Sequence, residues 1–248
     1  MVVCLSPHPD DAVLSCGGLL AMLRDQGRPA SVVTVFAGSP PPDGDLSPSA
    51  LLLHHSWGGL PDPMVHRRAE DTRALEVLGC PGLWWDYLDA IYRHPAYNSL
   101  ESLFGTPVEE IALEEELYGR CAALPGQVLL FPLAVGHHVD HQMLFRVGWA
   151  LGQAGRQVGF YEDQPYVAWE GGPQPRLAGL GRPLYPQVLE ITPHWPTKVT
   201  AVSCYSSQFA ELTRDGVSLL EALERYASVQ LAGAYVERLW WPGEGRWI

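Results

Sequence analysis

Apolar and polar positions along the chain fall into two alternating regimes. Residues 1–5, "MVVCL", form an unbroken apolar run, which predicts a strand buried on both faces of a parallel sheet. Residues 11–26 read as a helix, and Gly27 ends it. "ASVVTVF", 30–36, is a second continuous β-branched run. Strand, helix and strand in immediate succession make a βαβ unit, and such units favour a doubly wound α/β layer fold. Further on, the pattern predicts a helix over 64–78 closed by Gly79, and an extended segment over 82–88. An acidic helix follows over 108–124, with Ile111, Leu113, Leu117 and Cys121 as its apolar stripe. A buried strand "QVLLF", 127–131, then runs into a helix over 141–154. Proline, glycine and serine make 37–63 a long loop, a type that is functional or disordered when it occurs inside a compact domain. After Gly155 the periodicity weakens into short extended pieces, with helices over 196–207 and 217–227. No internal repeat interrupts this order. A single α/β domain over residues 1–248 is expected, with a mostly parallel sheet and an irregular C-terminal third laid over it.

Composition narrows the partners. Hydrophobic residues make up 47% of the chain and charged residues 18%, a globular profile and not a disordered one. The formal net charge is −12, and Lys198 is the sole lysine. No cluster of lysines or arginines appears, so neither nucleic acid nor an anionic membrane is an expected partner. Cys4, Cys16, Cys80, Cys121 and Cys204 are scattered, odd in number and form no C-x-x-C, so they read as small reduced hydrophobes. His8 and Asp10 interrupt what would be the apolar region of a signal peptide, and no apolar run approaches a membrane span of about 18 residues. A cytoplasmic protein is the expectation.

Chemistry concentrates in two turns. "SPHPDD", 6–11, lies where the first strand leaves the sheet, at the edge where open α/β sheets bind ligands. Pro9 fixes its own φ and biases His8 toward an extended backbone, so the turn is stiff. One aspartate there would serve as a helix N-cap, but one cap leaves the second aspartate and the histidine unexplained. The second turn, "PLAVGHHVDHQMLF", 132–145, follows the strand "QVLLF" and carries His137, His138, Asp140 and His141. His138 and His141 are three apart, so their rings share one face of a helical turn. Together the turns offer one carboxylate and two imidazoles to a metal. Three protein ligands with an open fourth position describe catalytic zinc, which makes hydroxide available at neutral pH. Asp10 is then free to take the water proton, and a histidine off the metal can protonate a leaving amine. Spacing leaves open which of His138 and His141 is the ligand.

"SPHPDDAVLSCGG" with "HHVDH" resembles the zinc de-N-acetylases of the PIG-L / LmbE-like family, with their H-P-D-D and H-x-D-H patterns. "HRRAEDTRALEVLG", 66–79, "FYEDQPY", 160–166, and "KVTAVSCYSSQ", 198–208, resemble further family segments in the same order. The resemblance implies a Rossmann-like three-layer sandwich that hydrolyses the N-acetyl group of an amino sugar or glycoconjugate, and a symmetric homo-oligomer. By position it implies His8, Asp11 and His141 as metal ligands for one Zn²⁺ per chain, other divalent metals staying open. It implies Asp10 as general base and His138 as the histidine that steadies the oxyanion and protonates the amine. Asp140 is expected to hold the His138 ring, and Arg67 to bind substrate.

Two positions depart from the family pattern. Ala12 replaces an acid, which implies a changed substrate pocket or a change behind the ligands. Gly136-His137 replaces a tyrosine-glycine pair, leaving the carbonyl-polarising tyrosine without a counterpart unless His137 substitutes for it. Arg67 and Glu70 could also form a surface ion pair, and Glu162 and Asp163 read as loop-orienting. Lys198 and Gln208 read as structural. Trp57 is a sugar-stacking candidate, Trp84, Trp85, Trp240 and Trp241 suit packing or an interface, and His54 and His55 read as solvated. A non-haem iron oxygenase would use the same two-histidine, one-carboxylate set but leaves Asp10 without a task. A non-catalytic sugar-binding protein leaves the acid/base pair unexplained.

Overall fold

The computed structural model describes residues 1–41, 46–229, 231, 233–244 and 248. In chain order the elements are β1 (Val2–Ser6), α1 (Asp11–Asp25), β2 (Ala30–Thr34), α2 (Pro48–Ser56), α3 (Pro63–Leu78) and β3 (Gly82–Trp84). The short helices α4 (Ala90–Arg93) and α5 (Leu100–Leu103) precede α6 (Ile111–Ala122), β4 (Val128–Pro132), α7 (Val139–Gln153) and β5 (Gln157–Tyr161). Then come α8 (Tyr166–Trp169), α9 (Gln174–Gly179), β6 (Tyr185–Glu190), α10 (Trp195–Val202), α11 (Leu219–Val229) and β7 (Val236–Trp241).

The strands form one sheet in the order β3-β2-β1-β4-β5-β7-β6. From β3 through β5 every pairing is parallel, and β7 pairs antiparallel with both β5 and β6. Side chains of β1 alternate between the faces. Val2 and Cys4 enter the core with α1, α3, α10 and α11, while Val3 and Leu5 enter the core with α6 and α7. This is the expected three-layer sandwich with a mostly parallel sheet. The chain winds outward from β1 to β3, then returns to place β4 on the other side of β1. The carboxyl ends of β1 and β4 therefore flank the switch in strand order, where a crevice opens.

The final third is more regular than its sequence suggested, since β5, β6 and β7 complete the sheet. The "RLWW" run lies in β7, with Trp240 and Trp241 buried, so it packs the sheet. The expected loop over 37–63 contains α2, which Ser47 caps by accepting from the Ala50 N–H, with Pro48 at the first helical position. Residues 42–45 of that expected loop lie outside the described residues. Helix α2 packs with α4 and α5 in a satellite cluster built on Leu53, Trp57, Ile91, Tyr97 and Leu103, beside the crevice. Gly18 lets α1 approach the C-terminal region, because a Cβ there would lie 2.4 Å from Ile191 Cδ1. Lys198 and Glu237 form a buried ion pair of 2.7 Å next to this contact, which agrees with a structural Lys198. Among the described residues, no helix is long and apolar enough to cross a membrane.

Candidate metal centre and active-site cleft

The turn after β1 is held by Ser6, whose hydroxyl donates to the His8 carbonyl and accepts from the Ala12 N–H. Asp10 occupies the N-cap position of α1 but caps nothing with its side chain. Its φ of 134° lies in a region that a non-glycine residue rarely adopts. That strain keeps the Asp10 carboxylate off the helix end and lining the cleft. Asp11 begins the helix, and its Oδ2 accepts from the His8 N–H at 2.9 Å. The turn after β4 is built alike, with Ala134, Gly136 and His137 all at positive φ. It ends on His138, which caps α7 by accepting from the Asp140 N–H at Nδ1.

The two turns converge. Asp11 Oδ2 lies 3.3 Å from His8 Nδ1 and 3.2 Å from His141 Nε2. The ring centroids of His8 and His141 are 5.5 Å apart, and His138 is edge-on to His8 at 4.8 Å. Donor atoms of His8, His138 and His141 all lie within 4.8 Å of one another. The ring of His141 is held from behind. Asp163 Oδ1 lies 2.7 Å from His141 Nδ1, and Asp163 Oδ2 accepts from the Val135 N–H at 2.9 Å. Expected only to orient loops, Asp163 fixes the ring of His141.

Asp140 is arranged differently from expectation. Its Oδ2 lies 3.1 Å from His8 Nε2 and accepts from the Ala90 N–H, while its Oδ1 accepts from Arg93 Nη2 at 2.6 Å. Its carboxylate therefore orients His8, and its only hydrogen bond with His138 runs through the backbone. Asp89, which the sequence did not single out, lines the cleft with Oδ2 3.5 Å from His8 Nε2.

The residues fit a divalent cation. His141 Nε2 is buried and makes no hydrogen bond, although Asp11 Oδ2 is 3.2 Å away. An imidazole held at Nδ1 by a carboxylate, with a bare Nε2 turned to a second carboxylate, is the usual posture of a metal-binding histidine. Ligands at about 2.0–2.1 Å from a tetrahedral zinc stand about 3.3 Å apart, which matches both spacings to Asp11. Electrostatics agree. Burial opposes charging His141, but Asp11 and Asp163 outweigh it and raise the ring to about 9. Burial likewise opposes charging His8, and Asp89, Asp11 and Asp140 overcome it, lifting its pKa well above the usual value. Burial would raise the Asp11 carboxyl, yet His141 and His8 hold it well below the usual carboxylate range. The pocket thus draws in positive charge, which a divalent ion can supply in place of two imidazole protons.

Asp10 differs from its neighbour. Burial and the adjacent Asp11 push its carboxyl well up, while Arg67 pulls it down from 3.3 Å. Burial and the His8 charge hold His138 well below the usual imidazole value. The resting ring is therefore neutral. Because Nδ1 accepts a hydrogen bond, its proton sits on Nε2.

Arg67 is buried, donates to the Pro9 carbonyl and to Asp10, and lies 4.5 Å above the Trp57 ring. Its Nε is buried without a partner and it lines the cleft. Glu70 does not pair with Arg67; it binds Ser206 and Ser207, tying α3 to the chain after α10. Trp57 is corrected as a stacking platform. It is buried, Arg67 covers its face, and its Nε1–H donates to Glu211 at 2.6 Å. His54 is not simply solvated, because its Nε2 lies 2.5 Å from the Tyr92 hydroxyl. Ala12 is buried in the helical core and does not line the cleft, and His137 is exposed. Leu53, Ile91, Leu100, Leu103 and Phe104 give the cleft an apolar wall over this polar floor.

The profile of the PIG-L family, described as GlcNAc-PI de-N-acetylase, matches residues 3–151. A 2'-N-acetylparomamine deacetylase from Niallia circulans is 34% identical over 184 residues, 65% of this chain and 66% of that protein. One from Streptomyces fradiae is 34% identical over 171 residues, 66% of this chain and 56% of that protein. These matches span less than two thirds of either relative's length. Among solved structures, the zinc-inhibited form of the teicoplanin deacetylase Orf2 has a TM-score of 0.82 at 28% identity over 96% of both chains. The A40926 pseudoaglycone deacetylase Dbv21 has a TM-score of 0.77 at 29% identity over 98% of both chains. With the family profile covering more than half of its length, this chain belongs to the PIG-L family.

Proposed function

We propose that the protein is a metal-dependent N-deacetylase that removes the acetyl group from an N-acetylated amino sugar or glycoconjugate. The observation that carries this reading is the bare, buried Nε2 of His141 beside Asp11, with Asp163 behind the ring. Relatives named as deacetylases of 2'-N-acetylparomamine, of teicoplanin and of the A40926 pseudoaglycone support the substrate class. The continuous sheet from β3 to β6 supports reading residues 1–248 as one catalytic domain.

In this reading His8, Asp11 and His141 hold one Zn²⁺. A zinc ion there supplies Lewis acidity toward a carbonyl oxygen and acidifies water. Asp10 takes the proton of the attacking water, and burial beside Asp11, which raises its pKa, makes it a stronger base than an ordinary carboxylate. His138 sits beside the developing tetrahedral centre with its Nε2–H available to the oxygen. Burial and the neighbouring His8 leave His138 neutral at rest, so the proton that it passes to the departing amine is the one Asp10 took from the water. Arg67 steadies the Asp10 carboxylate and offers its unpaired Nε to a substrate hydroxyl or carbonyl. Asp140 and Asp163 orient the ligands His8 and His141.

A panel of N-acetylated amino sugars, including an acetylated aminoglycoside fragment, tests this by release of free amine. Chelator-stripped protein should be inactive and zinc should restore it. No turnover across the panel with zinc fully bound would reject the reading.

A further inference from the structure

The turn that follows β5 presents more than Asp163. Three residues on, Tyr166 sets its ring edge-on against the imidazole of His141, with centroids 5.8 Å apart. Asp163 thus grips the ring of His141 through its Nδ1, and Tyr166 leans on the same ring from the cleft, where it lies with Asp10, Asp11 and His138.

The Tyr166 ring has little freedom. Phe104 packs against it at 5.6 Å and Trp169 at 5.5 Å between centroids. A side chain at position 136 would place its Cβ 2.7 Å from both Cβ and Cγ of Tyr166, so the ring fills that space. Gly136, at φ +83°, is what leaves room for it just ahead of His138. His137, the other polar residue of that turn, is exposed and does not line the cleft.

The polar end of this fixed ring is free. Among the described residues, nothing hydrogen-bonds the Tyr166 hydroxyl. Beside it, Gln164 also lines the cleft, is 8% exposed, and has a buried Oε1 without a partner. Buried polar groups are nearly always paired, so the lone Gln164 Oε1, with the half-buried Tyr166 and its free hydroxyl two residues on, marks an edge that a ligand completes. A phenol hydroxyl with no partner of its own is a donor toward that ligand.

Resting on the deacetylase reading above, we propose that Tyr166 is a further catalytic residue, whose phenol donates a hydrogen bond to the substrate's amide oxygen as negative charge collects there. No bond to Tyr166 forms or breaks, and the hydroxyl keeps its proton throughout. A fixed donor aimed at developing charge acts more strongly on the transition state than on bound substrate.

Tyr166→Phe tests this by deleting one oxygen while keeping every ring contact. Zinc-replete wild type and variant are compared on the acetylated sugar that the wild type turns over fastest. Losing one such donor should lower kcat by about 10²–10³ with KM little changed. Affinity for the methylphosphonamidate of the same amino sugar, a tetrahedral mimic, should fall by a similar factor, while affinity for the free amine product holds. Melting temperature and zinc content should match the wild type. A kcat within about threefold of wild type, a loss confined to KM, or a loss of bound zinc would overturn the assignment. The last of these would make Tyr166 a support for His141 alone. The two readings fail separately, since an inactive wild type ends both, whereas an active wild type matched by Tyr166→Phe ends only this one.

Discussion

Replacing Asp163 by asparagine keeps the shape of the group behind His141 and changes only its charge and hydrogen-bonding sense. The carboxylate meets two groups at once, His141 Nδ1 at 2.7 Å and the Val135 N–H at 2.9 Å, in a site where Asp163 is 1% exposed. An amide cannot accept at both ends. If its oxygen stays on His141, its NH₂ meets the Val135 N–H, and the buried unsatisfied donors cost about 1–3 kcal/mol. If it flips, the NH₂ donates to Nδ1 and forces the ring proton onto Nε2, the atom that must be bare to bind metal. Either way zinc is held less well, and loss of such a supporting group typically costs about 10- to 100-fold in metal affinity. Competition against a chromophoric chelator reads the affinity, and thermal unfolding of the stripped protein reads the first cost. Zinc affinity within twofold of wild type, with an unchanged melting temperature, would refute the claim that Asp163 sets the state of His141.

Further expectations follow from groups around the same cleft. Asp10 acts as a base only when ionised, so kcat/KM must fall as pH drops through its pKa; Arg67 holds that pKa down. Arg67→Met should therefore move the acidic limb of the pH profile to higher pH, and a limb that stays in place would show that the pairing does not govern Asp10. Lys198→Met leaves Glu237 charged, buried and still bonded to the Gly18 and Leu19 N–H groups. Breaking a buried pair on one side costs about 3–5 kcal/mol. Urea unfolding should show that loss while turnover per folded molecule holds, and equal stability would contradict the structural role.

What could be read in the sequence depended on how far each feature rests on local pattern. β1, β2 and β4 lie inside a parallel sheet, so burial on both faces writes them as continuous apolar runs. β6 and β7 sit at the antiparallel edge, and "YPQVLE" with its proline gives little sign of a strand until β7 is beside it. Helix α2 was hidden by the proline, glycine and serine around it, although Ser47 followed by Pro48 is a helix start. The site divides in the same way. His8, Asp10, Asp11, His138, Asp140 and His141 stand out because two strand-end turns carry them as contiguous motifs. The direction of Asp140 could not be read, because its partners Ala90 and Arg93 come from another segment altogether. Asp89 lies outside any motif and no local spacing marks it, while Tyr166 closes the "FYEDQPY" segment, whose order along the chain could be read but whose packing against His141 could not.

Acetate release by zinc-loaded wild type and Asp10→Asn, with zinc content measured in both, tests the central claim most directly. Both proteins should carry one zinc per chain, because Asp10 is not among the three ligands, while removal of the base should lower turnover by about 10²–10⁴. Equal turnover by the two proteins, or loss of zinc from Asp10→Asn, would contradict the account.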